Sequence, residues 1–132
     1  MDPLRTTVPA PLAEARTAVE AALKGQGFGI LSEIDLQETF RAKLGVAHEG
    51  HRILGVCNPN FAKRALDVDR DVALLLPCTV TLREVAGGTE VRVLDPEEVF
   101  QVAAAETRAK LEPLAGEVKG LLLAAVATLR TT

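Results

Sequence analysis

The sequence predicts a single α+β domain over residues 1–132, and three observations predict it. Leu12, Ala15, Val19, Ala22 and Leu23 recur at the spacing of one helical face. The run Thr79–Val85 alternates in the manner of a half-buried strand and leads into a glycine turn. Between these, the aliphatic run His51–Cys57 gives way at once to Asn58 and Pro59, a helix cap followed by a proline at the first helical position, where its missing N–H costs nothing. A chain of 132 residues is long enough to bury one core without disulfides or metals.

Taken in order, Leu4–Val8 predicts a short strand or an extended arm, and Pro9 and Pro11 introduce the first helix. Gly25 and Gly27 end that helix. Their run, GQGFG, superficially resembles a phosphate loop, but it leaves a helix and opens a strand, the reverse of the dinucleotide-binding order. It reads as a C-cap glycine and a turn. A strand Phe28–Ile34 follows. Asp35 then caps a second helix, with Glu38 completing a capping box that contributes on the order of 1 kcal/mol. Leu36, Phe40 and Leu44 are predicted to face inward before Gly45 stops it, and the loop carrying His48 leads through His51 into the strand ending at Cys57.

The third helix, Asn60 to Asp67, places Phe61, Ala62, Ala65 and Leu66 on one side, with Lys63 and Arg64 outside. Val72–Leu76 reads as a strand interrupted by Pro77, which cannot donate to a ladder and so marks an edge or a bulge. Val80 and Leu82 share a face of the next strand, Ala86–Thr89 forms a hairpin turn, and Glu90–Leu94 returns. Asp95, Pro96 and Glu98 repeat the helix-start signal. A stripe of Val99, Phe100, Ala103, Thr107 and Leu111 is followed by a second, Leu114, Val118, Leu121, Leu122, Ala125 and Leu129. Pro113 is expected to kink or break the helix between them.

Composition narrows the classes. An apolar fraction of 48% with 25% charged residues is that of a folded globular chain. With no Trp or Tyr, and Phe only at 28, 40, 61 and 100, the core must be built from Leu, Val, Ile and Ala. A net charge of −3 without a basic run argues against nucleic acid. The longest apolar stretch, Leu121–Leu129, is about half of what a bilayer requires, so no membrane span is expected. It reads as a packed helix end or, more sharply, as a homodimer contact. The N-terminal residues have neither a basic start nor an apolar signal core, so a cytoplasmic protein with reduced cysteines is expected. Few Asn, Gln, Met and Cys beside many Glu, Arg, Ala and Leu suits a thermophilic source, which keeps a disulfide open.

The segments GFGILSEIDLQ (Gly27–Gln37), KLGV (Lys43–Val46), ILGVCNP (Ile53–Pro59), AKRAL (Ala62–Leu66), LLLPC (Leu74–Cys78) and VLDP (Val93–Pro96) carry a further signal. In that order and spacing the chain resembles the domain of unknown function 302 family of bacteria and archaea, the match covering most of residues 25–100. The resemblance implies a curved antiparallel sheet of four to five strands with helices packed against it, similar to the β-α-β(4)-α plan of TBP-like folds. It implies no established activity.

No motif names a reaction, a substrate or a cofactor; none is expected, and a binding role is favoured over an enzymatic one. The leading candidate site is Cys57, Asn58, Pro77 and Cys78, where the helix N-terminus would accept a small anionic ligand with help from Lys63 or Arg64. A thiol redox reading uses the same cysteines, with Cys57 activated by the helix N-terminus and Cys78 as its resolving partner. A homodimeric interaction module without a ligand is the third. A weaker metal alternative groups His48, His51, Cys57 and Cys78, although their spacing matches no standard zinc site. Ser32, the only serine, lacks a glycine elbow and lends no support to a hydrolase.

Overall fold

Among the described residues five strands pair into one open sheet: β1 (Arg5–Val8), β2 (Gly29–Asp35), β3 (His51–Cys57), β4 (Cys78–Val85) and β5 (Gly88–Val93). They run in the order β1-β5-β4-β3-β2, with every neighbouring pair antiparallel. The helices are α1 (Leu12–Lys24), α2 (Leu36–Leu44), α3 (Pro59–Val68), α4 (Pro96–Val99) and α5 (Ala105–Arg130). This computed structural model describes residues 2–130. The α+β class and the antiparallel sheet are as the sequence predicts.

Strand alternation and helix periodicity meet in one core. Leu54 and Val56 of β3, Val80 and Leu82 of β4, and Val91 of β5 are buried on one face of the sheet. Against them lie the five predicted positions of α1 and, from α5, Val118, Leu122, Ala125, Val126 and Leu129. Each large aliphatic side chain so buried contributes about 1.5–3 kcal/mol. A second cluster joins Ala65 of α3 and Val72 to Phe100, Leu111, Leu114 and Ala115, fastening α3 to the first half of α5. The run Leu121–Leu129 is therefore used largely within the chain, and the face that suggested a dimer contact is not a free surface.

Four local expectations are corrected. Val72–Leu76 is not a strand: residues Arg70–Leu75 form a 3₁₀ helix, begun by the Asp69 carboxylate accepting from the Asp71 N–H at 2.9 Å. Val72 is thereby turned into the second cluster. Pro77 lies at neither an edge nor a bulge. It follows a cis Leu76–Pro77 bond just ahead of β4, a central strand, whereas the bulge falls in β2 between Ile30 and Ser32. The Pro77 ring instead lies over Gly55, where a Cβ would stand 2.7 Å from its Cγ and 2.3 Å from Ser32 Oγ.

The third correction is α2. Asp35 accepts from the Glu38 N–H at 3.0 Å, but the Glu38 carboxylate turns to Arg41, so half of the capping box forms. No residue of α2 is buried, and Leu44 is 68% exposed. The fourth is the C-terminal helix. It is interrupted at the 3₁₀ turn Phe100–Val102 rather than at Pro113, and α5 runs on through that proline. Pro113 is exposed, and Leu111 and Leu114, buried on either side of it, hold both halves to the same core. Among the described residues no helix is long and apolar enough to cross a membrane.

Candidate functional site

The turn from β3 into α3 forms as the Asn58–Pro59 signal predicts, with Asn58 extended and Pro59 opening the helix. The asparagine does not cap it. Its side-chain Nδ2 donates to the carbonyl of Gln26, 3.3 Å away in the turn between α1 and β2. That reach requires Gly27, whose φ is +86° and whose Cβ position lies 2.9 Å from Asn58 Nδ2. The side chain is thus a tie between segments, and it is not turned to receive a ligand.

Cys57 and Cys78 come together as half-buried free thiols. Strand register brings their backbones close, Cys78 pairing with Val56, the residue before Cys57, and at the strand end both side chains line one cavity. Burial pushes the Cys57 thiol above its ordinary range, opposite to the activation expected at a helix N-terminus. Cys78 is more deeply buried, and burial together with Cys57 raises it to about 11. Both stay protonated at neutral pH, so the premise of the redox reading is reversed.

The two cysteines line a narrow cavity of about 30 Å³, together with Phe28, Asn58, Phe61 and Phe100. It sits where the two hydrophobic clusters meet, and three of the chain's four phenylalanines reach it. Through Leu76, Cys78, Pro96 and Phe100 it adjoins an open groove of about 340 Å³, whose outer wall is Leu74, Pro77, Leu94 and Val99. Leu74 is 87% exposed and Leu94 49%. All four predicted ligand residues line this pair of hollows.

The lining decides what the hollows suit. Among the described residues neither is lined by a charged side chain. Lys63 bonds Asp67 at 2.6 Å, and Arg64 bonds Glu117 at 3.1 Å while lying over the Phe61 ring. The cations expected to help hold an anion are therefore engaged elsewhere. A larger hollow of about 590 Å³ near the β1 edge does carry charge, with Arg92 and Lys119 beside Asp2, Asp95 and Glu98. There Lys119 is bonded to Asp95 and Glu97 at 2.8 and 3.0 Å, an arrangement that fastens α4 to α5. The groove residues Leu94, Pro96, Val99 and Phe100 escaped the sequence reading, since their signal is only a run of apolar residues around a helix start.

The metal set is not assembled. His51 and Cys57 occupy opposite ends of β3, six residues and so about 20 Å apart. Among the described residues no three His, Cys, Asp or Glu side chains are grouped to hold a metal ion. The histidines instead bond each other, His48 Nε2 to His51 Nδ1 at 3.0 Å.

Comparison with known proteins gives the fold a lineage. No curated protein matches the chain. A solved structure, that of the uncharacterized conserved protein DUF302 from Bacillus stearothermophilus, is similar at a TM-score of 0.85 and 26% identity, covering 96% of each chain. The family described as Domain of unknown function DUF302 matches residues 4–129. With nearly its whole length inside that match, and with the sheet and helices that the resemblance implied, the chain belongs to the DUF302 family.

Proposed function

We propose that this protein binds a small apolar molecule in the Leu74–Phe100 groove, with the inner end of the ligand against Cys57 and Cys78. One observation carries the reading: an open apolar groove, free of charged side chains, adjoins a cavity lined by three of the chain's four aromatic residues. The inner cavity alone has room for about one water, so the ligand must lie mainly in the groove. The lining offers no acid, base or thiolate, and the role is binding rather than catalysis.

The absence of Trp and Tyr makes the test direct, because the protein adds almost no emission of its own. The neutral probe N-phenyl-1-naphthylamine should show saturable fluorescence enhancement. Leu94→Asp, at a half-exposed groove position, should weaken that binding at least tenfold, while Leu44→Asp on α2 should leave it unchanged. Absence of saturable binding, or equal loss in both variants, rejects the groove.

A second reading, a homodimer, has its own support at a different place. Leu31 and Ile34 of β2, Leu44 of α2 and Val46 just after it are all large and exposed, and β2 is an open edge of the sheet. Sedimentation of the wild type against Leu31→Glu/Leu44→Glu tests it. A monomer at micromolar concentration in both removes it.

A further inference from the structure

We infer that His48 and His51 form a pH-operated latch that holds α2 on the sheet and releases it when both rings become charged. Their nitrogens lie 3.0 Å apart, while the ring centroids are 5.3 Å apart and the planes only 13° from parallel. The two nitrogens therefore lie between the ring centres on nearly one line, the geometry of a head-to-head N–H···N bond. A metal ion shared by the rings would instead require them to be bent into a vee.

Such a bond tolerates one added proton. In the neutral pair one ring donates, and the other accepts while carrying its own proton on its far nitrogen. The first added proton enters on the donor ring's far nitrogen and leaves a cation donating to a neutral partner. The second has only the accepting nitrogen left. It would set N–H against N–H and two positive charges side by side, so the contact must open.

What the contact holds follows from the burial of α2. That helix buries no residue, and its nine residues are too few to persist alone in water. Beside the direct packing of α2 on β3, its ring and hydrogen-bond contacts toward the sheet pass through His48. The Phe40 ring meets the His48 ring edge-on at 5.0 Å, Gln37 Nε2 donates to the His48 carbonyl at 3.1 Å, and His48 in turn holds His51 on β3.

The surrounding charges act on His51 in both directions. Glu49, with Oε2 3.4 Å from His48 Nε2, favours a charged His51. From β4, Arg83 stands opposite His51 and opposes it, while Glu84 is occupied by the Gly50 N–H. From β5, Glu90 is bonded to Arg5 and Arg83. On α2 itself, Glu38 and Arg41 bond each other. Burial, then the charge of His48, lowers the His51 pKa below its ordinary 6.5, so the docked state holds the neutral ring and weakens as pH falls below that value.

The test is amide hydrogen exchange across residues 36–48, corrected for intrinsic rates, between pH 7.5 and 5. In the wild type the protection of α2 should fall at least tenfold while β4 and β5 hold theirs. In His48→Gln and His51→Gln the protection of α2, high or low, should no longer change with pH. Constant wild-type protection down to pH 5, or a fall of equal size in either variant, overturns the latch.

Discussion

Asn58 reaches back thirty-two residues to donate to the carbonyl of Gln26 and so leaves the first turn of α3 without a side-chain cap. Asn58→Asp therefore separates two roles of one residue. Aspartate is as good a cap as asparagine, but it has no donor for Gln26 and would place a carboxylate against a carbonyl oxygen. The substitution should destabilise the fold by about 1–3 kcal/mol, the usual range for leaving a buried partner unsatisfied. Denaturant unfolding measures it, and an unchanged midpoint would show that capping was the role that mattered.

Gly55 is placed for contact with Pro77 and Ser32. Gly55→Ala would set a methyl group against both, in the middle of the sheet, and should cost about 1–3 kcal/mol through overpacking. Gly29→Ala, at a position with open space on β2, is the matched control and should cost far less. Thermal melts of the pair decide whether the close approach matters.

The thiols should be slow. With both pKa values raised, alkylation at pH 7.5 should be slower at Cys57 than in the unfolded chain and slower again at Cys78, with both rates climbing as pH rises. Mass spectrometry of each cysteine peptide gives the rates. A Cys57 that reacts as fast folded as unfolded would restore it as a candidate redox thiol.

Glu33 links α1 to β3, accepting from Arg16 at 2.8 Å and from Arg52 at 2.7 Å. Arg16 first, and Arg52 after it, hold its carboxyl below the usual carboxylate range. Because the folded pKa is the lower one, this stabilisation is present above the unfolded value of 4.5 and is lost as pH falls through the folded value. Glu33→Gln should flatten the acid limb of the stability curve while shifting stability at pH 7 by less than about 1 kcal/mol, since the group is partly exposed. An acid limb identical to the wild type would remove Glu33 from the account.

Pro113 sits inside a continuous α5 without an N–H to offer the carbonyl of Ala109. Pro113→Ala restores that donor at an exposed position and should raise the melting temperature, by up to the equivalent of about 3 kcal/mol. A lower melting temperature would mean that the proline shapes the packing of Leu111 and Leu114.

Much of the fold was legible in the sequence where local chemistry and burial agree. All five apolar positions read off α1 are buried, Asp35 caps as expected, and the Gly87 turn joins β4 to β5. The reading failed where the deciding partner is distant in sequence. Periodicity showed that Leu36, Phe40 and Leu44 share a face but not that little lies opposite them, and the apolar run at Val72 fits a strand or a turn equally well. At the site, the convergence of Cys57, Asn58, Pro77 and Cys78 was visible as two motifs flanking one helix. The direction of the thiol pKa shifts was not, because it depends on packing by Phe28, Phe61 and Phe100.

The pairing of β1 with β5 also governs how the molecule is completed during synthesis. The sheet neighbours β2, β3, β4 and β5 follow one another in sequence and can zip together as they leave the ribosome, but β1 finds its partner β5 after about eighty more residues have been made. The core side of the sheet then remains partly uncovered until α5 arrives. A nascent chain of this topology therefore holds the inner faces of Leu54, Val80 and Leu82 incompletely shielded until α5 has been made, the interval in which aggregation or chaperone capture competes with folding.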